Sequence, residues 1–560
     1  MSIDPITLEV LRNGLTAIAE EMNANLIRTS YSPNIKERRD CSCAVFGPAG
    51  EMISQAENIP VHLGAMPFSV SAALEEYSVE NMERGDSILL NDPFRGGAHL
   101  PDLTLITPIF LEETVAGFAA NRAHHADVGG ASAGSISATA TDIYQEGIRI
   151  PPIRVFRDHE EQTDILDLIL ANTRDPTERR GDLRAQQVAN QTGVSRFKAL
   201  VDQHGRTTLN DGIDALNAYA ERRMRAAIDA IPDGTYTFED VIEDDGCGNS
   251  ALPIRATIDV EATELTVDFA GSAPQTEGAL NAVRAVTVSA TYYAIRCLTD
   301  PDIPANAGSY RPISVTTPEG TIVNASHPAA VVGGNLETSQ RIVDVLFGAF
   351  ATVLPEQAIA ASQGTMNNLT FGGVDPRDDT EFAFYETIAG GMGARASKDG
   401  LDAVQIHMTN TENTPIEVIE TAYPLAVRRY ELRPDSGGPG RYRGGLGIRR
   451  DIEVLADDIS CSVVGERRKR RPFGIAGGKS GAPGADFCDR GDGFEPIPAK
   501  TTMVLQTGDL ISIRTPGGGG YGDPKERKQA LIDRDRSLGK MTEEWRERAD
   551  ASDSETMSPE

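Results

Sequence analysis

Residues 254–269 read Ile-Arg-Ala-Thr-Ile-Asp-Val-Glu-Ala-Thr-Glu-Leu-Thr-Val-Asp-Phe, the clearest hairpin pattern in the sequence. Apolar and polar residues alternate from Ile254 to Val260, and again from Leu265 to Phe269 after a short polar turn. Because successive side chains of a strand point to opposite faces, this alternation predicts two half-buried antiparallel strands. The hairpin therefore establishes a β component of the fold.

Helical patterns lie on both sides of this hairpin. Apolar residues recur every three or four positions from about 213 to 231, and Pro232-Asp233-Gly234 ends the pattern. Further helices are predicted at about 283–297 and 339–351. The elements do not follow a regular βαβ alternation. The sequence predicts an α/β fold of the mixed α+β kind, with several layers of mixed sheets and packed helices, and not a regular doubly wound fold.

Outside this central part, Asp4 and Pro5 predict the start of the first helix. Residues 35–108 consist of short apolar stretches broken by Gly and Pro, which predict strands joined by long loops. We divide the chain into an N-terminal α/β region with a candidate metal site, a central α/β region with the hairpin and a polar block, a β-rich region, and a charged helix with a partly disordered acidic tail. These regions are 1–205, 206–425, 426–524 and 525–560.

The charge balance excludes some functions. The chain has 53 Lys and Arg against 83 Asp and Glu, a formal net charge of −30. This balance argues against nucleic acid as a partner, because phosphate binding needs a cationic face. We interpret the acidity as a surface adapted to high salt, and an ordinary acidic protein is the alternative.

The location is predicted from three further features. The longest apolar run, 345–354, is too short to cross a bilayer. The amino terminus has no basic segment followed by an apolar one, and the six cysteines include no CxxC pair. We expect a cytoplasmic protein with no membrane segment.

Three of the eight histidines lie within 27 residues, close to carboxylates. His99 and Asp102 share one segment, and His124, His125 and Asp127 share another. Imidazole and carboxylate groups at short spacing are typical ligands of Zn, Mn or Fe. Adjacent residues of a strand face opposite sides, so His124 and His125 should not bind one ion equally. The alternative is a set of hydrogen-bonded histidines at strand ends.

Two polar blocks have two interpretations. The first covers 172–187, and the second covers 385–417. Amides and hydroxyls among glycines suit a cavity that binds a small polar ligand, whereas capped turns are the alternative. The second block contains Glu386, His407, Asn410 and Asn413.

The nucleotide motifs are incomplete. Residues 474–480 resemble a phosphate loop that is one residue short, and the preceding run 467–471 is too basic for a buried strand. Residues 391–396 copy part of a dinucleotide fingerprint, but 397–400 predict a turn where a helix is required. We expect no self-contained ATP site in this chain.

Taken together, the motifs resemble those of the hydantoinase B/oxoprolinase family. The resemblance rests on blocks in one order between residues 4 and 524: Pro60-Val-His-Leu-Gly-Ala-Met66, Asn91-Asp-Pro93, Gly96-Gly-Ala-His-Leu-Pro-Asp102, His124-His-Ala-Asp-Val-Gly-Gly130, Gly181-Asp-Leu-Arg-Ala-Gln186, Gly333-Gly-Asn-Leu-Glu337, His407-Met-Thr-Asn-Thr-Glu-Asn-Thr-Pro415, Asp435-Ser-Gly-Gly-Pro-Gly440 and Pro516-Gly-Gly-Gly-Gly-Tyr-Gly522. The extension after Asp523 lies outside it.

The resemblance implies a subunit of an ATP-dependent cyclic-amide hydrolase of the N-methylhydantoinase or 5-oxoprolinase type. ATP would be bound by a hydantoinase A-type partner, which phosphorylates the substrate before this chain completes the reaction. A hetero-oligomer is expected, with homodimer contacts as a further option. The alternatives are a subunit of an acetone- or acetophenone-type carboxylase, acting on a ketone, and a non-catalytic ligand-binding or scaffold subunit.

The resemblance also favours a divalent ion, Zn, Mn, Fe or Mg, at His99, Asp102 and His124. His125 and Asp127 would be outer or alternative ligands. On this basis we assign catalytic roles to Asp102, His125, Asp127, Glu386 and His407. Substrate binding is assigned to Asn335, Glu337, Asn410 and Asn413.

Overall fold

The computed structural model of the protein describes residues 3–56 and 58–550. In these ranges the α-helices are α1 (Pro5–Thr29), α2 (Pro33–Lys36), α3 (Pro60–Glu76), α4 (Thr163–Leu170), α5 (Pro176–His204), α6 (Arg206–Asp229), α7 (Arg284–Leu298), α8 (Ala307–Tyr310), α9 (Ser339–Phe350), α10 (Ile416–Ala422), α11 (Gln529–Ser537) and α12 (Glu543–Asp550). The disorder expected for the acidic tail concerns 551–560, which lie outside the described residues. Within those same ranges, no helix is long and apolar enough to cross a membrane.

The strands are β1 (Cys41–Phe46), β2 (Met52–Gln55), β3 (Ser87–Leu90), β4 (Asp102–Leu111), β5 (Thr114–His124), β6 (Ile153–Arg157), β7 (Glu160–Glu161), β8 (Gly234–Asp244), β9 (Ser250–Glu261), β10 (Glu264–Asp268), β11 (Ile313–Thr316), β12 (Asn368–Asp375), β13 (Thr380–Thr387), β14 (Leu425–Leu432), β15 (Ile448–Val454), β16 (Ile459–Val464), β17 (Ala485–Asp489), β18 (Phe494–Ile497), β19 (Lys500–Leu505) and β20 (Leu510–Arg514).

These strands form four sheets. Their orders are β2-β1-β5-β4-β3-β6-β7, β11-β10-β9-β8, β13-β12-β16-β19 and β14-β15-β20-β17-β18. Only the β10–β11 pair is parallel among the described strands. The mixed α/β fold without regular βαβ alternation is therefore confirmed. In the third sheet, β12 and β13 come before residue 425 and β16 and β19 come after it. The predicted central region and the predicted β-rich region therefore share one sheet. The predicted region boundaries stay predictions.

The predicted hairpin is the β9–β10 pair. Val260 faces Leu265 and Ile258 faces Val267, so the alternating apolar residues of both strands share one buried face. Helix α9 packs against β8 and β9 and covers this part of the core. The alternation of apolar and polar residues in the sequence thus marks the sheet face that α9 buries.

The first helix has the predicted start, because the Asp4 side chain accepts hydrogen bonds from the N–H groups of Ile6 and Thr7. The helix predicted at 213–231 begins earlier, at Arg206. Gly205, with φ +82°, ends α5, and the first turns of α6 bury Leu209, so the chain is already helical there. The helices predicted at 283–297 and 339–351 are α7 and α9.

Two helices contradict the sequence predictions. Residues 60–76, expected to be strand and loop, form α3, although Pro67 lies inside it. Residues 172–187 are predicted to line a cavity or to form capped turns, but 176–187 belong to α5, whose start Asp175 caps. Helix α5 buries amides against the first sheet: Gln186 and Asn190 both contact Asn121 of β5. A helix with a polar buried face lacks the apolar periodicity on which the prediction relied.

Candidate metal centre

His99, Asp102 and His124 lie together at one end of the β4–β5 pair. Asp102 is the first residue of β4, His124 is the last residue of β5, and the two are partners in the strand register. His99 precedes Asp102 by one tight turn, which is closed by a 3.1 Å bond from the Asp102 N–H to the His99 carbonyl oxygen. The structure therefore brings the predicted trio together, with all three ligand atoms within 4.8 Å of one another.

The segment before β4 is held by Asn91 and Gly96. Asn91 Nδ2 donates to the Leu100 carbonyl oxygen at 2.7 Å, while its Oδ1 accepts from the Ile150 N–H at 2.6 Å. Gly96 has φ +90°, and a Cβ atom there would lie 2.4 Å from the Phe68 carbonyl oxygen. The glycine is therefore required for the turn that leads to His99.

The cluster is closed to solvent and short of protein partners. Asp102 Oδ1 lies 3.0 Å from His99 Nε2 and 3.3 Å from His124 Nδ1, and no member is more than 2 % exposed. Among the described residues, both ring nitrogens of His99, both oxygens of Asp102 and Nε2 of His124 have no hydrogen-bond partner. Leaving a buried polar atom unpaired costs about 1–3 kcal/mol. Two imidazoles and one carboxylate in this state fit a divalent ion.

The protonation states also suit a metal. Burial raises the pKa of Asp102, but the neighbouring His99 and His62 lower it by more. The pKa of Asp102 therefore lies well below its usual range. Burial lowers the pKa of His124, against the opposing effect of Asp40. A carboxylate and a neutral imidazole are the forms that bind a metal ion.

Two further members of this site, His62 and Asp40, are not among the ligands that the sequence predicts. His62 Nε2 lies 3.3 Å from Asp102 Oδ1 and 3.8 Å from Asp40 Oδ1, and both His62 and Asp40 are buried. Ser42 Oγ is 3.4 Å from His62 Nδ1 and also accepts a bond from the Ile59 N–H. The histidine lies in the block Pro60–Met66, but only the position of α3 above the sheet shows that it reaches Asp102.

A third sheet contributes the wall of the site. The Tyr385 ring of β13 stacks on His124, with ring centroids 4.8 Å apart. The Tyr385 hydroxyl donates to Asn368 Oδ1 at 3.0 Å, and Asn368 Nδ2 donates to Glu337 Oε1 at 2.8 Å. Burial, opposed by hydrogen bonding, raises the pKa of Glu337 to about 7. Glu337, predicted to bind substrate, is thus linked to the cluster through two side chains.

His125 and Asp127 follow the trio in sequence but contact other groups. His125 Nε2 lies 3.0 Å from Gln186 Oε1 of α5, and burial lowers its pKa to about 4. Asp127 accepts bonds from the N–H groups of Gly129, Gly134 and Arg174, and from Arg174 Nη1. Neither supplies an atom to the cluster. Their assigned roles stay predictions, and the visible function of Asp127 is to fix its loop.

Glu386 and His407 lie in two other polar environments. Glu386 Oε2 is 2.6 Å from Arg450 Nη1, and its Oε1 accepts bonds from the Thr414 N–H and from Asn413 Nδ2. His407 has φ +59°, with Nδ1 3.4 Å from the Tyr293 hydroxyl.

Two assigned asparagines remain. Asn335 is buried in a π-helical turn with Oδ1 unpaired among the described residues, whereas Asn410 is exposed. These assignments also stay predictions.

The fold and this cluster define a class: a mixed α/β protein that encloses two imidazoles and a carboxylate suited to one divalent ion. The chain belongs to the hydantoinase B/oxoprolinase family, whose sequence profile matches residues 4–524. The resemblance stated from the motifs is therefore confirmed.

Three similar proteins place the chain within that family. An uncharacterised protein of Methanocaldococcus jannaschii is 43 % identical, over 95 % of this chain and 92 % of its own length. The 5-oxoprolinase 1 of Arabidopsis thaliana is 39 % identical over 93 % of this chain, which spans only 42 % of that protein. The crystal structure of an ATP-dependent caprolactamase from Pseudomonas jessenii is 30 % identical, with a TM-score of 0.91 over 100 % of this chain and 98 % of that one.

Proposed function

We propose that this chain is the B-type subunit of an ATP-dependent cyclic-amide hydrolase, and that it completes the hydrolysis of a substrate phosphorylated on an A-type partner subunit. The observation that carries the proposal is the buried cluster of His99, Asp102 and His124, in which both ring nitrogens of His99, both oxygens of Asp102 and Nε2 of His124 lack hydrogen-bond partners in the described chain. Family membership supports it, as does the similarity to a caprolactamase, because caprolactam is a cyclic amide.

The partner subunit would bind ATP. The chain spans about two fifths of the plant 5-oxoprolinase, so it would correspond to one part of such an enzyme. Residues 474–480, the nearest approach to a phosphate loop, form a turn that leads into β17. Phosphate loops instead lead into a helix, whose first N–H groups bind the phosphate. We therefore assign the nucleotide to the partner.

His99, Asp102 and His124 would hold Zn, Mn or Fe in preference to Mg, because two of the three donors are nitrogen atoms. A bound ion polarises a substrate oxygen and lowers the pKa of water. The chain contributes position and charge. Asp102 supplies the negative charge, His62 directs Nε2 toward Asp102, and the Tyr385 ring fixes the plane of His124.

Phosphorylation by the partner explains why two subunits would share the work. An amide carbonyl is a poor electrophile because its carbon receives electron density from nitrogen. Phosphorylation of the oxygen removes this resonance and creates a leaving group. Bulk water does not reach the side chains of the cluster. The activated carbonyl carbon of the substrate would therefore meet only a water molecule held at the site.

The test has two measurements. We expect about one divalent ion per purified chain by elemental analysis, and ATP-dependent ring opening of 5-oxoproline, hydantoin or caprolactam only when a co-expressed A-type subunit is present. Asp102→Asn should abolish ring opening, whereas Asp167→Asn, at an exposed position on α4, should not. A chain without divalent metal, or ring opening with ATP by this chain alone, contradicts the proposal. Incorporation of labelled bicarbonate into the product would instead identify the carboxylase alternative.

A further inference from the structure

Five arginines in the described part of the chain are at most 1 % exposed: Arg38, Arg122, Arg341, Arg450 and Arg467. Three of them contact carboxylates. Arg341 and Arg467 both contact Asp240, at 2.9 and 2.7 Å, and Arg450 contacts Glu386 at 2.6 Å. Such pairing is the rule for a buried charge, because an isolated one is costly to remove from water.

The other two, Arg38 and Arg122, have no ion pair with any described carboxylate. Arg122 Nε donates to Thr104 Oγ1 at 2.8 Å and its Nη2 donates to Ser69 Oγ at 2.7 Å, while Nη1 has no partner among the described residues. Arg38 donates to Asn34, Thr387 and the Tyr385 carbonyl oxygen, while its Nε is unpaired within the same ranges. All the partners of both guanidinium groups are neutral.

Both unpaired arginines flank the candidate metal centre. Arg122 faces Thr104 in the β4–β5 register, two residues from the Asp102–His124 pair, so it shares that face of the sheet at a spacing of about 7 Å. The Arg38 guanidinium lies 4.8 Å from the centroid of the Tyr385 ring, which stacks on His124. The exceptions to the pairing rule therefore occur at one place in the molecule.

The local charges indicate what the site would bind. Asp40 and Asp102 supply two negative charges, and Arg38 and Arg122 balance them. A divalent ion would then add two positive charges that no member of this group offsets. A phosphate monoester carries about −1.5 to −2 charges at pH 7, whereas a carboxylate carries one.

We propose that Arg122 and Arg38 form the recognition site for the phosphoryl group of the activated substrate, beside the metal centre. The inference rests on the proposed function for the origin of that group. Guanidinium groups donate several hydrogen bonds in a planar array that matches phosphate oxygens. Neither arginine donates to a carboxylate, and Arg122 Nη1 and Arg38 Nε have no partner among the described residues. The phosphoryl dianion would balance the charge of the loaded centre.

The experiment uses the full chain loaded with zinc and titrated with inorganic phosphate in a calorimeter. Arg122→Gln and Arg38→Gln should each weaken phosphate binding by about 10- to 100-fold, the range for a hydrogen bond to a charged group. Arg122→Lys retains the charge and should lose less. Arg284→Gln is the control, because this arginine is exposed on α7 over the Phe68 ring. Acetate at equal concentration should not displace phosphate.

Zinc content and melting temperature of each variant show that the centre and the fold are intact. Unchanged phosphate affinity in folded Arg122→Gln and Arg38→Gln overturns the inference, and so does equal competition by acetate. If Arg122→Gln fails to fold, the phosphate affinities of Arg122→Lys and Arg38→Gln test the inference. A chain that takes up no divalent ion contradicts the proposed function, whereas a zinc-loaded chain that binds no phosphate contradicts this inference alone.

Discussion

Two buried groups of charged side chains differ in how they are satisfied. In the first, β8, α9, the segment after β16 and the start of β19 contribute an ion-pair network. Arg341 contacts Asp240 at 2.9 Å, Arg467 contacts Asp344 at 2.7 Å, and Lys500 contacts Glu466 at 2.7 Å. In the second, the metal-centre cluster, Asp102 has both oxygens without a hydrogen bond. All members of both groups are buried.

We propose that the difference separates charges that hold the fold together from charges that bind a ligand. A paired network satisfies its own members, so removing one member leaves a buried charge and destabilises the fold. The metal-centre cluster, whose polar atoms lack hydrogen bonds although imidazole nitrogens lie 3.0–3.3 Å from Asp102 Oδ1, already carries part of this cost in the ligand-free chain. Charge removal should therefore destabilise the first group and abolish ligand binding at the second.

The largest expected effect is in the ion-pair network. Glu466→Gln removes the carboxylate that contacts Arg341 and Lys500, so each of these two buried cations loses one of its ion pairs. The free energy of unfolding should fall by about 3–5 kcal/mol. Urea denaturation of the metal-free chain measures this. Glu431→Gln, at a half-exposed pair with Arg429, is the control and should cost less than about 1 kcal/mol. An equal loss of unfolding free energy in Glu466→Gln and Glu431→Gln would contradict the distinction between buried and exposed ion pairs.

Asp102→Asn and His99→Ala should have the opposite profile. Each removes a ligand atom from the cluster, so metal content should fall to a small fraction of one ion per chain. The metal-free melting temperature should stay within a few degrees of that of the wild-type chain, because neither the Asp102 nor the His99 side chain makes a hydrogen bond that holds the described fold. Elemental analysis and thermal unfolding on the same samples decide. Full metal occupancy in both variants would eliminate the site.

His62 tests how far the cluster extends. His62→Ala should weaken metal binding by about 10- to 100-fold, the usual effect of losing a group that orients a ligand. His62→Gln keeps a hydrogen-bond donor and should retain more affinity. Competition with a chromophoric chelator measures both constants. If Ala and Gln bind metal as tightly as the wild-type chain, His62 only packs against Asp102.

His407 borders the ion-pair network and should couple stability to pH. Burial lowers its pKa to about 4, against the opposing effect of Asp344, while an unfolded histidine titrates near about 6.5. Between these values the unfolded chain binds more protons, so the free energy of unfolding should fall as pH falls, by up to about 1.4 kcal/mol per unit for this group. His407→Gln should reduce the slope, and His159→Gln, at an exposed position, should not.

The smallest expected effect concerns salt. The net charge of −30 predicts repulsion among surface carboxylates. Raising KCl to 1 M shortens the screening length to about 3 Å, so the melting temperature should rise. A temperature that is flat or falling between low and molar KCl would contradict the interpretation of a surface adapted to high salt.

The parts of the fold that could be predicted are those where side-chain chemistry matches the local period. Helix α1 and the β9–β10 hairpin have apolar faces with the periods of helix and strand, and both are present. Helices α3 and α5 could not be found in this way. The first contains Pro67, and the second buries amides such as Gln186 and Asn190, because their partner is the amide of Asn121.

The site shows the same limit. Short spacings and the family resemblance predict His99, Asp102 and His124 as ligands. The β4–β5 pair and the turn before it bring them together. His62 and Tyr385 come from a helix that was not predicted and from a third sheet more than 250 residues further along the chain. No local pattern links residues that only tertiary packing places side by side. Their contribution became visible from distances of 3.3 Å to Asp102 and 4.8 Å between ring centroids.

The register of β4 and β5 has a consequence for how this protein can tolerate insertions and deletions. Asp102 and His124 pair at the open end of the hairpin, whereas the turn at Glu112 and Glu113 begins ten residues further along the chain, just past the end of β4 and about 33 Å away. A bulge between Ile109 and Phe110 lies close to that turn. Changes in length at the tip should leave the pair intact. Loss of one residue from 103–108 would instead turn Asp102 to the opposite face, so length variation among descendants of this chain should concentrate at the tip.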